Sequence, residues 1–147
     1  PVADITINEI LEAARWTPSG LNNQPWRFVV IKDESFKKKI SEFTHYSSII
    51  AGCDFCIAVF YNHSAGYNRD KDIMSIGASI QNMLLYAHDK GIGSVWLGEI
   101  LKNKEKINAL IEVDPSNEFM ALVAFGFPEE EGISDRRKMS ELLIKVI

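Results

Sequence analysis

The stretch Ala13-Ala14-Arg15-Trp16-Thr17-Pro18-Ser19-Gly20-Leu21-Asn22-Asn23-Gln24-Pro25-Trp26-Arg27-Phe28 sets a helix end, a loop and a strand start side by side. Pro18 disfavours helical geometry in Thr17, so the helix stops near Trp16. Upstream, Thr6-Ile7-Asn8-Glu9 has capping-box spacing, and Ile7, Ile10, Leu11 and Ala14 make one apolar helical face. Downstream, Ser19 to Pro25 is a polar, turn-rich loop. Trp26–Ile31, rich in β-branched and aromatic residues, then reads as a strand.

Further out, Asp33 is positioned to cap a helix carrying Phe36, Ile40 and Phe43. Cys53–Tyr61 is a second strand, and Asn62–Asp70 is a loop. The longest helix is expected from about Asp72 to Lys90. Ile73, Ile76, Ile80, Met83, Leu84 and Ala87 form its stripe, and Gly91 stops it. Ser94–Leu97 is a short strand, Lys104–Ile111 a short helix, and Phe119–Phe127 a strand closed by Pro128. Met139–Ile147 suits a helical turn or an edge strand. Helices and strands alternate without a linker, so one domain over residues 1–147 with a helix-flanked sheet is expected.

Composition narrows the function. The chain has 147 residues, 46% of them hydrophobic and 24% charged, ordinary for a folded domain that needs no disulfide or metal. Lys and Arg number 16 against 20 Asp and Glu, for a net charge of −4, a poor match for non-specific nucleic-acid binding. No run approaches the length of a membrane span, and Pro1-Val2-Ala3-Asp4 lacks the regions of a signal peptide. Two cysteines are too few for a disulfide framework, which fits a reducing cytoplasm.

Several motifs are read as structural. Cys53-Asp54-Phe55-Cys56 has C-x-x-C spacing, but in a strand residues three apart point to opposite faces, so two small strand residues are expected. Gly91-Ile92-Gly93-Ser94 lies between a helix and a strand, the reverse of the order a dinucleotide fingerprint needs. Asp70 and Asp72 are placed to complement the dipole of the long helix. Gln81 and Asn82 interrupt its apolar run and need partners if buried. His45, His63 and His88 show no metal-ligand spacing, and no catalytic triad, HExxH or P-loop is present.

Pro18, Ser19, Asn22, Gln24, Pro25 and Trp26 resemble the hallmark of the flavin-dependent nitroreductase family, a helix ending in Ala-Pro-Ser-x-x-Asn-x-Gln-Pro-Trp and followed by a strand, with Thr17 in place of Ala. Three weaker matches follow in family order: the Gln81-Asn82 helix with Gly91 to Gly98, the segment Ala121 to Pro128, and the basic cluster Arg136-Arg137-Lys138. The resemblance implies an α+β fold with a mixed, mostly antiparallel sheet flanked by helices. It also implies a homodimer with FMN at the interface. Pro18, Ser19, Gly20 and Asn22 would approach the flavin from the partner subunit, the backbone of Leu97, Gly98 and Glu99 would lie beside flavin N5, and Arg136 and Arg137 would hold the phosphate.

The implied activity is reduction of nitroaromatics, quinones or similar planar electrophiles by NADH or NADPH through FMN, in a ping-pong order. Few catalytic side chains are needed, because the cofactor carries the chemistry. His45, Arg69 and Lys71 are candidates for positive charge near the flavin. The family usually opens with an Arg-Arg-Ser-x-Arg segment that binds phosphate, ribityl chain and ring. Nothing like it precedes Pro1: either the sequence starts after that segment or the protein is a short form without it, and in the second case a weakened FMN affinity is expected, with a flavin-binding or flavin-free module without turnover as the alternative. A thiol oxidoreductase using Cys53 and Cys56 is a further rival.

Overall fold

The computed structural model describes residues 1–130 and 132–147. Among these residues six α-helices run over α1 Asp4–Arg15, α2 Glu34–Ser41, α3 Ser47–Gly52, α4 Arg69–Asp89, α5 Lys104–Ile111 and α6 Met139–Leu142. Four strands run over β1 Trp26–Ile31, β2 Phe55–Asn62, β3 Gly93–Leu97 and β4 Asn117–Gly126. They form one sheet in the order β1-β2-β4-β3, and every pairing is antiparallel.

β2 is central and buried on both faces, which is why its sequence is a continuous apolar run. One face carries Ile57, Val59, Val123 and Phe125 against Ile7, Ile10 and Ala14 of α1 and Ile76, Ile80 and Met83 of α4. The other carries Cys56, Ala58, Phe60 and Leu122 against Ile40 of α2, Ile50 of α3 and Ile107 of α5. The register shifts where Val59 pairs with Ala121 and Phe60 with Phe119, leaving Met120 as the extra residue of a bulge.

The helix ends show which local signals were sufficient. Asp33 caps α2, its carboxylate accepting from Phe36 N at 2.8 Å. Gly91, at φ 71°, ends α4: its N–H donates to His88 O and Ile92 N–H donates to Ala87 O, the paired bonds of a Schellman motif. Other expectations are corrected. α1 starts two residues before Thr6, with Ala3 at the cap and no side-chain bond there, so the Thr6–Glu9 box lies inside the helix. α4 starts at Arg69, capped by Asn68, whose side chain accepts from Lys71 N; Asp72 lies inside it and Ile73 is 36% exposed. β2 starts at Phe55 rather than Cys53, because the six-residue α3 fills the chain up to Gly52.

Candidate active site

The Thr17–Gln24 loop is held by side chains at both ends and left open in its middle. Thr17 is buried, and its Oγ1 accepts from Asn82 Nδ2 at 2.8 Å; the same amide donates to Ala13 O at 3.2 Å. Asn82 thus fastens the loop to α4, while Gln81 faces outward. Ser19 Oγ accepts from Gln24 N at 3.0 Å, closing the loop on itself. Between these points Leu21, Asn22 and Gln24 take left-handed φ of 54°, 55° and 50°. Three such non-glycine residues so close together are uncommon and mark a backbone fixed by its surroundings. Leu21 is 84% exposed, Pro18 and Asn22 are exposed, and the Asn22 amide has no protein partner among the described residues.

The loop's last anchor is Asp72, which is fully buried. Its carboxylate accepts from Asn23 Nδ2 at 2.7 Å, Tyr61 Oη at 3.0 Å, Tyr67 N at 3.0 Å and Asn68 N at 3.1 Å. Burial alone would raise its pKa, but these donors hold it below the ordinary carboxylate range. Asp72 is therefore a hub for loop, strand and helix rather than a dipole partner at the surface. The sequence offered no sign of this, because an acidic first turn looks the same in either role.

Two glycines make room for the tyrosines around this hub. A Cβ on Gly20 would lie 1.9 Å from Tyr67 Oη, and one on Gly66 would lie 2.0 Å from Tyr61 Oη. Gly20 itself does not take positive φ. The direction a side chain would take at Gly20 is filled by Tyr67.

Leu97 ends β3 and is buried, and Gly98, exposed, starts the turn that carries Glu99. The Glu99 carboxylate is paired with Lys102 and accepts from Thr44 Oγ1 at 2.6 Å and His45 N at 3.4 Å; Lys102 and then Thr44 pull its pKa down to about 2. His45 is thus a neighbour of Glu99, its Nε2 3.8 Å from the carboxylate. Arg69 makes two bonds to Glu118, at 2.8 and 3.0 Å. Lys71 lies 5.5 Å from the centre of the Tyr67 ring, beside the loop.

Arg136 and Arg137 are exposed; Arg136 Nη1 donates to Ser134 Oγ and Asp135 O, both at 2.8 Å. Arg136 lines an open cleft of about 1250 Å³ with Cys53, His88, Gly93 and Gly126. Gly93 pairs with Gly126 at one end of the sheet, whereas Trp26, which closes the loop, pairs with Tyr61 at the other. Within one chain, the loop and the arginine pair therefore stand at opposite ends of the sheet. The structure joins Pro18, Ser19, Gly20 and Asn22 in one loop and Leu97, Gly98 and Glu99 in one turn. Among the described residues no hydrogen bond or ion pair connects these groups to each other or to the arginines.

A family model described as the nitroreductase family matches residues 1–48 and 44–127. An Archaeoglobus fulgidus protein provisionally named NADH dehydrogenase/NAD(P)H nitroreductase is 34% identical over 134 residues, 88% of this chain and 76% of its own. A Thermus thermophilus protein named NADH dehydrogenase is 26% identical over 179 residues, covering 98% of this chain and 86% of its own. The crystal structure of a Desulfovibrio desulfuricans protein, provisionally a nitroreductase and in complex with FMN, superposes with a TM-score of 0.95 at 42% identity, over 99% of this chain and 86% of that one. With the fold, the loop and the family match in agreement along most of its length, the chain belongs to the nitroreductase family.

Proposed function

We propose that the chain is an NAD(P)H-dependent flavin oxidoreductase that holds FMN at the interface of a homodimer and reduces nitroaromatics, quinones or similar planar electrophiles. The observation that carries this reading is the Thr17–Gln24 loop. Its ends are pinned by Asn82 and Asp72, while Leu21 and the Asn22 amide, unpaired among the described residues, are presented outward. The absence of a membrane-crossing helix among the described residues and the two cysteines fit a cytoplasmic setting.

The residues present fit the cofactor. An isoalloxazine edge alternates acceptors with a donor, and the Asn22 amide offers both partners. The exposed Gly98 leaves backbone free of side-chain cover beside Leu97, where flavin N5 would lie. A guanidinium suits phosphate, and Arg136 and Arg137 stand in open solvent with no carboxylate partner among the described residues. Bound there, FMN would supply two-electron transfer between NADH or NADPH and the acceptor. The chain's part is to orient and exclude. Pro18, Ser19, Gly20 and Asn22 position the ring, and Lys71, unlike Arg69, is beside the loop without a carboxylate partner among the described residues. Because loop and arginines lie at opposite ends of one sheet, a second copy is needed to bring both to one FMN.

The test is the absorbance of the purified protein. Bound oxidised FMN is expected to give visible bands that NADH or NADPH bleaches and a quinone restores. Asn22→Leu is expected to weaken FMN affinity about tenfold, the loss of one or two ring hydrogen bonds, with circular dichroism unchanged. Bound FMN that neither nucleotide bleaches would reduce the protein to a flavin-binding module, and failure to bind added FMN would remove the reading altogether.

A further inference from the structure

Cys53 and Cys56 do not lie on opposite faces. Their sulfurs are 3.4 Å apart, in hydrogen-bond contact, because Cys53 precedes β2 and is free of its pleat. Cys56 is fully buried, pointing into the face of the sheet covered by α2 and α3, and Cys53 packs against that same face from outside. Cys53 also lines the open cleft at this end of the sheet. The two thiols thus form an ordered pair, one reachable and one hidden.

The surroundings fix the reachable member. The Lys37 side chain is 1% exposed, and its ammonium donates to Cys53 O at 2.5 Å and Asp54 O at 3.4 Å while pairing with Glu34 at 2.7 Å. A buried ammonium clamped on the backbone of the C-x-x-C segment is a costly arrangement for a segment of mere packing residues. No group of three or more His, Cys, Asp or Glu that could hold a metal exists among the described residues, so a zinc site does not account for the pair.

We propose that Cys53 and Cys56 are a redox-active dithiol that exchanges with low-molecular-weight disulfides, Cys53 attacking and Cys56 resolving. The Cys53 thiolate attacks one sulfur of the small disulfide; the S–S bond breaks and one thiolate leaves, giving a mixed disulfide on Cys53. Cys56 sulfur then attacks Cys53 Sγ, its proton passing to the second departing thiolate. The pair loses two electrons and two protons, and one small disulfide becomes two thiols. The sulfurs need to close by roughly 1.4 Å to reach the bonded distance, which Cys53, at the end of a six-residue helix, is placed to do. The thiol acidities agree with these roles. The Cys56 hydrogen bond and then the Lys37 charge draw Cys53 below the ordinary thiol value against the opposing effect of burial, whereas the same bond and burial push Cys56 far up.

The reduced, flavin-loaded protein is incubated with excess oxidised glutathione in the dark without nicotinamide, then alkylated with iodoacetamide and weighed intact. Wild type is expected to lose both alkylation sites together and retain no glutathione. Cys56→Ser is expected to retain one glutathione on Cys53, and Cys53→Ser none, its remaining thiol alkylating about tenfold or more slowly. Wild type that keeps both thiols free, or that accumulates an unresolved glutathione adduct, overturns the proposal. So does an adduct on Cys56 in Cys53→Ser. The wild-type arm decides alone if a serine variant does not fold.

Discussion

Asp72 shows how far one residue can depart from what its neighbours in sequence suggest. It holds four donors from three parts of the chain, and Asp72→Ala would leave Asn23 Nδ2, Tyr61 Oη, Tyr67 N and Asn68 N without it. That substitution is expected to cost several kcal/mol in chemical denaturation, since each buried donor left unpaired costs about 1–3 kcal/mol. Asp72→Asn keeps the shape and is expected to cost less. Its pH profile is the sharper readout. Because the folded-state pKa is lowered, the carboxylate's contribution is full above the unfolded value of about 3.9 and is lost as pH falls through the folded one. Wild type should therefore lose stability on acidification below about pH 4 more steeply than Asp72→Asn, after each is referred to its own value at neutral pH. Parallel acid limbs would show that the buried carboxylate is not linked to folding. Lys37 was equally hidden: nothing in Glu34-Ser35-Phe36-Lys37 distinguishes a buried ammonium from a solvated one, because its carbonyl partners lie sixteen and seventeen residues away.

At the scale of elements, legibility follows the range of the interaction that fixes each one. The Asp33 cap, the Gly91 stop and α5 depend on contacts within a few residues, and all were readable, while β1 was readable from its β-branched and aromatic composition although it pairs with the distant β2. α3 was not expected, since six residues give no period to detect, and missing it put Cys53 in a strand it does not join. The loop at Thr17–Gln24 was placed correctly but its inner logic was not. Gly20 is small because Tyr67 Oη sits where its side chain would be. Tyr67 is 43% exposed, so Gly20→Ala is expected to push the ring outward rather than break the loop, at a cost of about 1 kcal/mol. In a Tyr67→Ala background the same change should cost little, giving a coupling of roughly 0.5–3 kcal/mol in a double-mutant cycle. Additive costs would show that Tyr67 does not determine the residue at this position. The cycle also separates the packing role of Gly20 from contact with flavin, which a bulky substitution alone would confuse.

Across the whole molecule, the distribution of apolar surface points to a second copy. Met74 and Leu85 on α4 are 66% and 58% exposed, Trp96 on the edge strand β3 is 44% exposed, and Ile144 and Ile147 in the tail are bare. An edge strand and an apolar helix face left open together are a surface that association covers. A homodimer burying over ~2,000 Å² is expected, in the range of obligate interfaces. Mass alone would not show that the active site is shared, but the separation of loop and arginines along the sheet permits a stricter test. Asn22→Leu damages the loop, and Arg136→Ala/Arg137→Ala is expected to lose about tenfold or more in FMN affinity through the phosphate. If each FMN takes its loop from one subunit and its arginines from the other, a mixed dimer of the two variants has one site with both defects and one with neither. Co-expression at equal levels makes half the dimers mixed, so about one site in four should bind FMN with parental affinity in a fluorescence titration. If both groups came from the same chain, every site in the mixed dimer would carry one defect and no tight class would appear. A tight class near a quarter of the sites, together with dimeric mass by light scattering, is the expected result. Its absence from a confirmed mixed dimer would separate the loop from the arginine pair as parts of one FMN site spanning two subunits.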